Sequence, residues 1–290
     1  MKIPIHHMSG AGNAFVVLDG RGTESFTHLT PTLIQAVCNR SSLGIPKAEG
    51  VIVLDSTSAG NATSTFYNPD GSADAMCGNG SRCLVRFALD NGATLDENGA
   101  LMFTMAGAHY TATVHHDVIC VEFPPPVDEQ RLFPNDVPEL PSVVAYVDVG
   151  SDHVVVNMRD LNDMYGNLAD LVLQQIAVPI RNSSAFPRGT NVNFATVVDR
   201  RAIHMRTYER GVEAETGACG TGAISTAIAL WRSGEVDDDV TLIPTSGKPL
   251  RVVIHHRSDV ITRITLCGDA IYDAPASQFD TSSETYYDHA

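Results

Sequence analysis

Lysine is scarce in this chain. Only Lys2, Lys47 and Lys248 occur in 290 residues, none in a context that marks a cofactor site. Chemistry through a Schiff-base lysine and pyridoxal phosphate therefore has little to rest on, and a cofactor-independent route is expected. Positive charge as a whole is short: 34 Asp and Glu against 19 Lys and Arg leave a net charge of −15 with no basic stretch. A nucleic-acid backbone or an anionic membrane would meet repulsion almost everywhere. Long apolar runs are missing too. No segment reaches the length of a bilayer crossing, and the start, MKIPIHHMSG, lacks the apolar h-region of a signal peptide. The expectation is a cytoplasmic protein with no membrane or nucleic-acid partner. Cysteine is thinly spread. Cys38, Cys77, Cys83, Cys120, Cys219 and Cys267 do not make the dense framework of a small secreted domain, and in a reducing compartment they are expected to be thiols.

What is present is a large apolar fraction, 43%, enough to build the core of one large domain or two ordinary ones. Strand-like segments rich in β-branched residues recur, among them FVVLD (15–19), GVIVLD (50–55), YTATVHHDVICVEF (110–123), VVVNM (154–158), NVNFATVV (191–198) and LRVVIHH (250–256). Helical periodicity is sparser and falls at 31–39, 82–91, 160–177 and 223–234. The stretch FPPPVDEQRLFPNDVPELP, 123–141, holds six prolines and no sustained period, and reads as a linker. On each side of it come several strands, a turn with a Cys-Gly-x-Gly core, and one helix. The expected organisation is an N-terminal domain over 1–122 carrying Cys77, joined by a C-terminal strand at about 270–280, and a C-terminal domain over 142–269 carrying Cys219. The tail, 281–290, reads as disordered, and EVDDDV (235–240) as a solvated acidic turn.

The two turns are MCGNGSRC (76–83) and ACGTGAIS (218–225). Cys219 stands to Gly220-Thr221-Gly222 as Cys77 stands to Gly78-Asn79-Gly80. A helix N-terminus offers backbone N–H groups without intrahelical partners and a partial positive charge, and glycines let a ligand approach them. A thiol there is drawn toward its thiolate by the same dipole. Each turn thus combines an anion seat with an acid or base. Two such turns facing one carbon could invert a stereocentre, one sulfur removing the α-proton and the other returning a proton to the far side.

The segments MSGAGNAFVVLD (8–19), NPDGSADAMCGNGSRC (68–83), RGTNVNF (188–194) and YERGVEAETGACGTG (208–222) resemble, in order and spacing, the signature blocks of the diaminopimelate epimerase family. That resemblance implies an α/β (α+β) fold of two pseudo-symmetric domains, each a mainly antiparallel sheet wrapped around a central helix, with the active site in the cleft between them. It implies a homodimer that holds no metal and no cofactor and converts L,L-diaminopimelate to the meso form for lysine and peptidoglycan synthesis. On the same ground Cys77 and Cys219 are the two bases. Asn13, Asn68, Asn191, Glu209 and Arg210 hold the small amino-acid substrate, while Gly78, Asn79, Gly220 and Thr221 cradle its reacting carboxylate. Ser151, His153 and Gly50 are further candidates.

The chain departs from the family pattern at GSDH (150–153), where relatives commonly read Gly-Asn-Pro-His, at KAEG (47–50), and at Ala14, where an aspartate is usual. These departures bear on the distal end of the substrate, and they keep open a racemase of another amino acid, such as histidine, on the same scaffold. A thiol-redox protein cycling a Cys77–Cys219 disulfide is the reading from a different class. Zinc fits poorly: five residues separate Cys77 from Cys83, and no second pair follows at ligand spacing. The adjacent histidines 6–7, 115–116 and 255–256 fall within strand patterns, where neighbours point to opposite faces. Cys38, Cys83, Cys120 and Cys267 read as core, and Arg82 and Arg86 as structural ion-pair partners or functional residues in equal measure.

Overall fold

The computed structural model describes residues 2–22, 29–39, 47–73, 76–282 and 285–288. The chain forms two compact units, one made of residues 1–122 and 268–290 and the other of 123–267.

Unit 1 begins with the antiparallel pair β1 (Lys2–Gly10) and β2 (Asn13–Asp19), followed by α1 (Pro31–Cys38). A second antiparallel pair, β3 (Val51–Ser58) and β4 (Asn61–Tyr67), precedes α2 (Gly78–Asp90). The meander β5 (Ala100–Met105), β6 (Ala108–His115) and β7 (Val118–Phe123) comes next. Parallel neighbours need a long crossover, which the segments holding α1 and α2 provide: β2 pairs in parallel with β3, and β4 with β5.

Unit 2 repeats that succession. After β8 (Asp128–Leu132) come the antiparallel strands β9 (Val144–Asp148) and β10 (Asp152–Asn157), then the helices α3 (Asn162–Tyr165) and α4 (Leu173–Arg181). β11 (Asn191–Asp199), parallel to β10, pairs with β12 (Ala202–Glu209), beside which lies the short β13 (Ala214–Thr216). α5 (Gly220–Arg232) then leads to β14 (Asp239–Ile243), parallel to β12, and to the antiparallel β15 (Leu250–Arg257) and β16 (Val260–Asp269). From β1 to β7 and from β9 to β16 the pairings run antiparallel, parallel, antiparallel, parallel, antiparallel, antiparallel. The two units are therefore topological repeats. The chain closes on unit 1 through β17 (Ile271–Tyr272) and β18 (Ser277–Asp280), both on β1, and β19 (Thr285–Asp288) on β18.

Strand alternation decides which side chains meet which helix. In unit 1 the odd positions Val51 and Val53 and the even positions Val16 and Leu18 join Ile34 and Val37 of α1, while Ile52 lies on the opposite face, toward Gly80 of α2. In unit 2, Val154, Val156, Val192 and Phe194 pack with Ile176 and Ile180 of α4. The alternate positions, His153 and Asn193 among them, are left to the face on which α5 packs. Sheets covered on both faces explain why FVVLD and VVV read as continuous apolar runs.

Several expectations need correction. The proline-rich stretch 123–141 is no linker: β8 pairs with β9, and Val137 and Leu140 are buried in the core of unit 2. The helix expected over 160–177 is broken, because Gly166 adopts φ +71°, and only α3, α4 and short 3₁₀ turns form. Residues 110–123 are two strands, with His116 at φ +56° in the turn between them and so not inside a strand. The tail expected to be disordered carries β19, paired along its length with β18. Finally, Cys120 and Cys267 are not thiols but disulfide-bonded. Cys38, Cys77, Cys83 and Cys219 lie outside any disulfide.

Candidate functional site

Both cysteine turns cap their helices in the same way. Cys77 has an extended backbone (φ −121°, ψ 109°) and its sulfur accepts the Gly80 N–H at 3.3 Å, while Cys219 (φ −127°, ψ 114°) accepts the Gly222 N–H at 3.4 Å. A cysteine takes the N-cap place that a serine or aspartate commonly fills. The sulfur is thereby fixed at the positive end of a 13-residue helix. The N–H groups of Gly78, Gly220 and Thr221 bond to nothing among the described residues, so each turn keeps donors for an anion.

Behind the first turn lies Arg82, fully buried. Its guanidinium donates to the Gly78 carbonyl at 3.1 Å, to Asn79 Oδ1 at 2.9 Å and to the Asp269 carbonyl at 3.0 Å. It forms no ion pair through these bonds, unlike Arg86, which pairs with Asp90 at 2.9 Å. Gly10 sits so close that a Cβ would fall 2.7 Å from the Asn79 carbonyl oxygen, which brings the β1–β2 turn and the buried Asn13 beside this helix end.

Behind the second turn is a chain of neutral hydrogen bonds. Asn193 Oδ1 accepts from Thr207 at 2.9 Å and Nδ2 donates to the Val154 carbonyl at 3.2 Å, which fixes the amide orientation. Nδ2 therefore also donates to His153 Nδ1, at 3.0 Å, leaving His153 Nε2 to carry the proton and donate to Thr221 Oγ1 at 3.0 Å. The Thr221 hydroxyl can then turn its hydrogen to the Cys219 sulfur, 3.5 Å away. Burial drives the imidazole pKa down to about 3, so His153 is neutral throughout this relay near neutral pH.

A third group gathers at the start of β10 and the end of β12. Asn191 donates to Ser151 Oγ at 3.0 Å and to the Asp152 carbonyl at 2.9 Å, and its Oδ1 accepts the Arg210 N–H at 2.9 Å. Its amide thus ties Ser151, Asp152 and the Arg210 backbone together, and Oδ1 keeps a second acceptor site. Glu209 accepts from Thr216 at 2.9 Å, and burial pushes its carboxyl up from the usual range. In unit 1, Asn68 closes a turn on Ser72, with its side chain 2.9 Å from Ser72 Oγ. Gly50 is a packing position: a Cβ there would meet the Phe66 ring at 2.5 Å.

Unit 1 thus brings together Cys77, Gly78, Asn79 and Asn13, and unit 2 brings together Cys219, Gly220, Thr221, His153, Ser151, Asn191, Glu209 and Arg210. Sequence reasoning missed Asn193, Arg188 and Tyr146. Asn193 was within reach, since it lies two residues beyond Asn191 on the same strand face. Among the described residues, no group of three or more His, Cys, Asp or Glu side chains gathers where a metal ion could be held.

Comparison with known proteins identifies the family and the fold. The family model for diaminopimelate epimerase matches residues 5–123 and 145–269. The chain is 32% identical over 267 residues to the diaminopimelate epimerase of Flavobacterium psychrophilum, covering 92% of this chain and 96% of that one. It is 34% identical over 259 residues to the enzyme of the same name from Aquifex aeolicus, covering 84% and 88%. Among solved structures, a phenazine biosynthesis protein of the PhzF family from Bacillus anthracis superposes with a TM-score of 0.68 at 15% identity, over 97% of this chain and 99% of that one. A probable proline racemase from Agrobacterium radiobacter, with bound carbonate, gives 0.67 at 16% identity over 96% and 93%. At such identities these structures show a shared fold.

Proposed function

This chain belongs to the diaminopimelate epimerase family, and from that premise we propose that it interconverts L,L- and meso-diaminopimelate by two-base proton transfer between Cys77 and Cys219. The observation that carries this reading is the duplication of one device: a cysteine N-cap on a 13-residue helix, at the same place in two units of the same topology. A single activated cysteine would serve a nucleophile. Two equivalent ones suit inversion, which needs a base on one face of the α-carbon and an acid on the other.

Removal of an α-proton beside a carboxylate builds up a dianionic, enolate-like species. The N–H groups of the two turns, at Gly78 and Asn79 and at Gly220 and Thr221, would receive that charge without reorganising. Arg210, with Glu209, Asn13 and Asn68, would hold the distal amino-acid group, a cation for its carboxylate and oxygens for its ammonium. Asn191 contributes by placing the Arg210 backbone. The redox reading is less favoured, since each sulfur is engaged as a helix cap.

We further infer a cytoplasmic homodimer serving lysine and peptidoglycan synthesis, from the family and from the sequence. No helix among the described residues is long and apolar enough to cross a membrane.

The test is proton NMR of the protein with L,L-diaminopimelate in deuterated water, together with chiral analysis of the product. Loss of the α-proton signal with formation of the meso isomer is the expected result. No exchange with this substrate, but exchange with another amino acid such as histidine, would replace the substrate and keep the mechanism. No exchange of any α-proton, with the thiols confirmed reduced, would overturn both.

A further inference from the structure

The turn GSDH replaces the family's proline with Asp152, and the structure shows what this carboxylate does. Asp152 is nearly buried, at 7% exposure. Its Oδ1 accepts from the Tyr146 hydroxyl at 2.6 Å and from Arg188 Nη2 at 2.8 Å, and its Oδ2 accepts from Arg210 Nη1 at 3.3 Å. Arg188 is held a second time by Asp148 at 3.2 Å. Two aspartates and two arginines therefore balance in charge around this turn.

The bonds of Arg210 are distributed unevenly. Nη1 donates to Asp152, to the Arg188 carbonyl at 3.0 Å and to the Gly189 carbonyl at 3.2 Å. Nε and Nη2 bond to nothing among the described residues, and the side chain is 32% exposed. A guanidinium can grip a carboxylate in bidentate fashion through either of two edges, Nη1–Nη2 or Nε–Nη2. Tethering Nη1 withdraws the first edge and leaves the second open.

We infer that Asp152 is a positioning residue, which holds Arg210 by Nη1 so that its Nε–Nη2 edge is presented to the non-reacting carboxylate of the substrate. The inference rests on the proposed role of Arg210. It also accounts for a departure that would otherwise look like the loss of a binding residue: a proline at this place could form no such tether, and Asp152 takes over the ordering of the distal site. Tyr146, stacked on Phe186 at 5.9 Å, fixes Asp152 in turn.

The experiment is steady-state epimerisation of L,L-diaminopimelate by the wild-type protein and by Asp152→Asn, Asp152→Glu and Tyr146→Phe. Loosening a contact to a remote carboxylate weakens ground-state and transition-state binding alike, so KM moves and kcat does not. Asp152→Asn is expected to raise KM about tenfold, with kcat within about twofold, as befits loss of one charge-assisted tether. Asp152→Glu should recover most of that loss, which a merely structural role would not allow. Tyr146→Phe keeps the ring stack and removes only the hydroxyl, so it covers the case in which Asp152→Asn does not fold; its KM should rise about two- to fivefold. If the wild-type protein exchanges no α-proton of diaminopimelate, the functional reading fails and takes this inference with it. If the wild type is active and the KM of the folded variants is unmoved, or kcat falls in its place, the inference alone fails.

Discussion

The two cysteine turns share a fold and differ in what stands behind the sulfur. Five residues after Cys77 comes Arg82, a buried cation whose three bonds go to carbonyl and amide oxygens. Five residues after Cys219 comes Ile224, equally buried and wholly apolar. Burying an arginine without a hydrogen-bonded carboxylate costs several kcal/mol of desolvation, so its presence on one side alone calls for a reason. In unit 2 the corresponding support is dipolar, the Asn193–His153–Thr221 relay ending at Cys219. The cap and the helix recur in both units while the electrostatics behind them differ. The proposed reaction, which needs one acid and one base at any moment, would be served by two sulfurs alike in their caps and unlike in charge environment.

The coarsest way to break the comparison is to remove either sulfur. Cys77→Ala and Cys219→Ala are each expected to lower inversion by about 10³-fold or more, since each group is needed once per turnover and such losses are typical of essential acid–base residues. Chiral analysis of the product checks this, and a single-cysteine variant with full inversion would sink the two-base reading. A finer break is Arg82→Met. Removing the cation should slow alkylation of Cys77 by iodoacetamide near neutral pH by about tenfold, the effect of one unit in thiol acidity, and leave Cys219 unchanged. Equal slowing at both sulfurs would show the effect to be structural.

Much of this comparison was legible in the sequence. The Cys-Gly-x-Gly turns, their spacing and the helices after them are local features, fixed by caps and by glycine at places where backbone or ligand comes close. What was misread depends on distant partners. The segment DEQRL, 128–132, has no strand alternation of its own, and pairing with β9 together with the Arg232–Glu129 ion pair at 2.7 Å holds it as β8. Prolines around it disguised Val137 and Leu140, which are core residues. Arg82 read as an ion-pair partner because its carbonyl acceptors come from the turn itself and from Asp269, far along the chain. Asn191 read as a ligand contact, and only the tertiary structure shows that its amide also ties Ser151, Asp152 and Arg210 together.

The equivalent glycines sharpen the contrast further. A Cβ on Gly80 would meet its nearest neighbours at 3.4 Å, ordinary contact, whereas one on Gly222 would fall 2.5 Å from Asn193 Oδ1. Replacing glycine by alanine in a helix lowers the entropy of the unfolded chain and stabilises by about 0.4–1 kcal/mol where space allows. Gly80→Ala is therefore expected to be neutral or slightly stabilising. Gly222→Ala should cost about 1–3 kcal/mol, by overpacking and by pushing Asn193 off the relay. Urea unfolding of both variants tests this pair, and a similar loss in each would show the turns to be equally crowded.

The last contrast is one of pH. Unit 2 relies on a buried neutral histidine behind its cysteine turn, where unit 1 has Arg82. His153 titrates at about 3 in the folded protein against 6.5 for the free side chain. Between these values the unfolded chain binds a proton that the native chain does not, so the contribution of His153 to stability is full above about pH 6.5 and is lost as pH falls toward 3. The slope is at most about 1.4 kcal/mol per pH unit for one proton. His153→Gln retains an N–H for Thr221 and cannot titrate, so it should unfold less steeply with acid than the wild type over that window, once their stabilities at pH 7.5 are subtracted. Identical pH dependence in the two proteins would mean that His153 takes up its proton without unfolding, and the relay behind Cys219 would then carry a charge like the one Arg82 places behind Cys77.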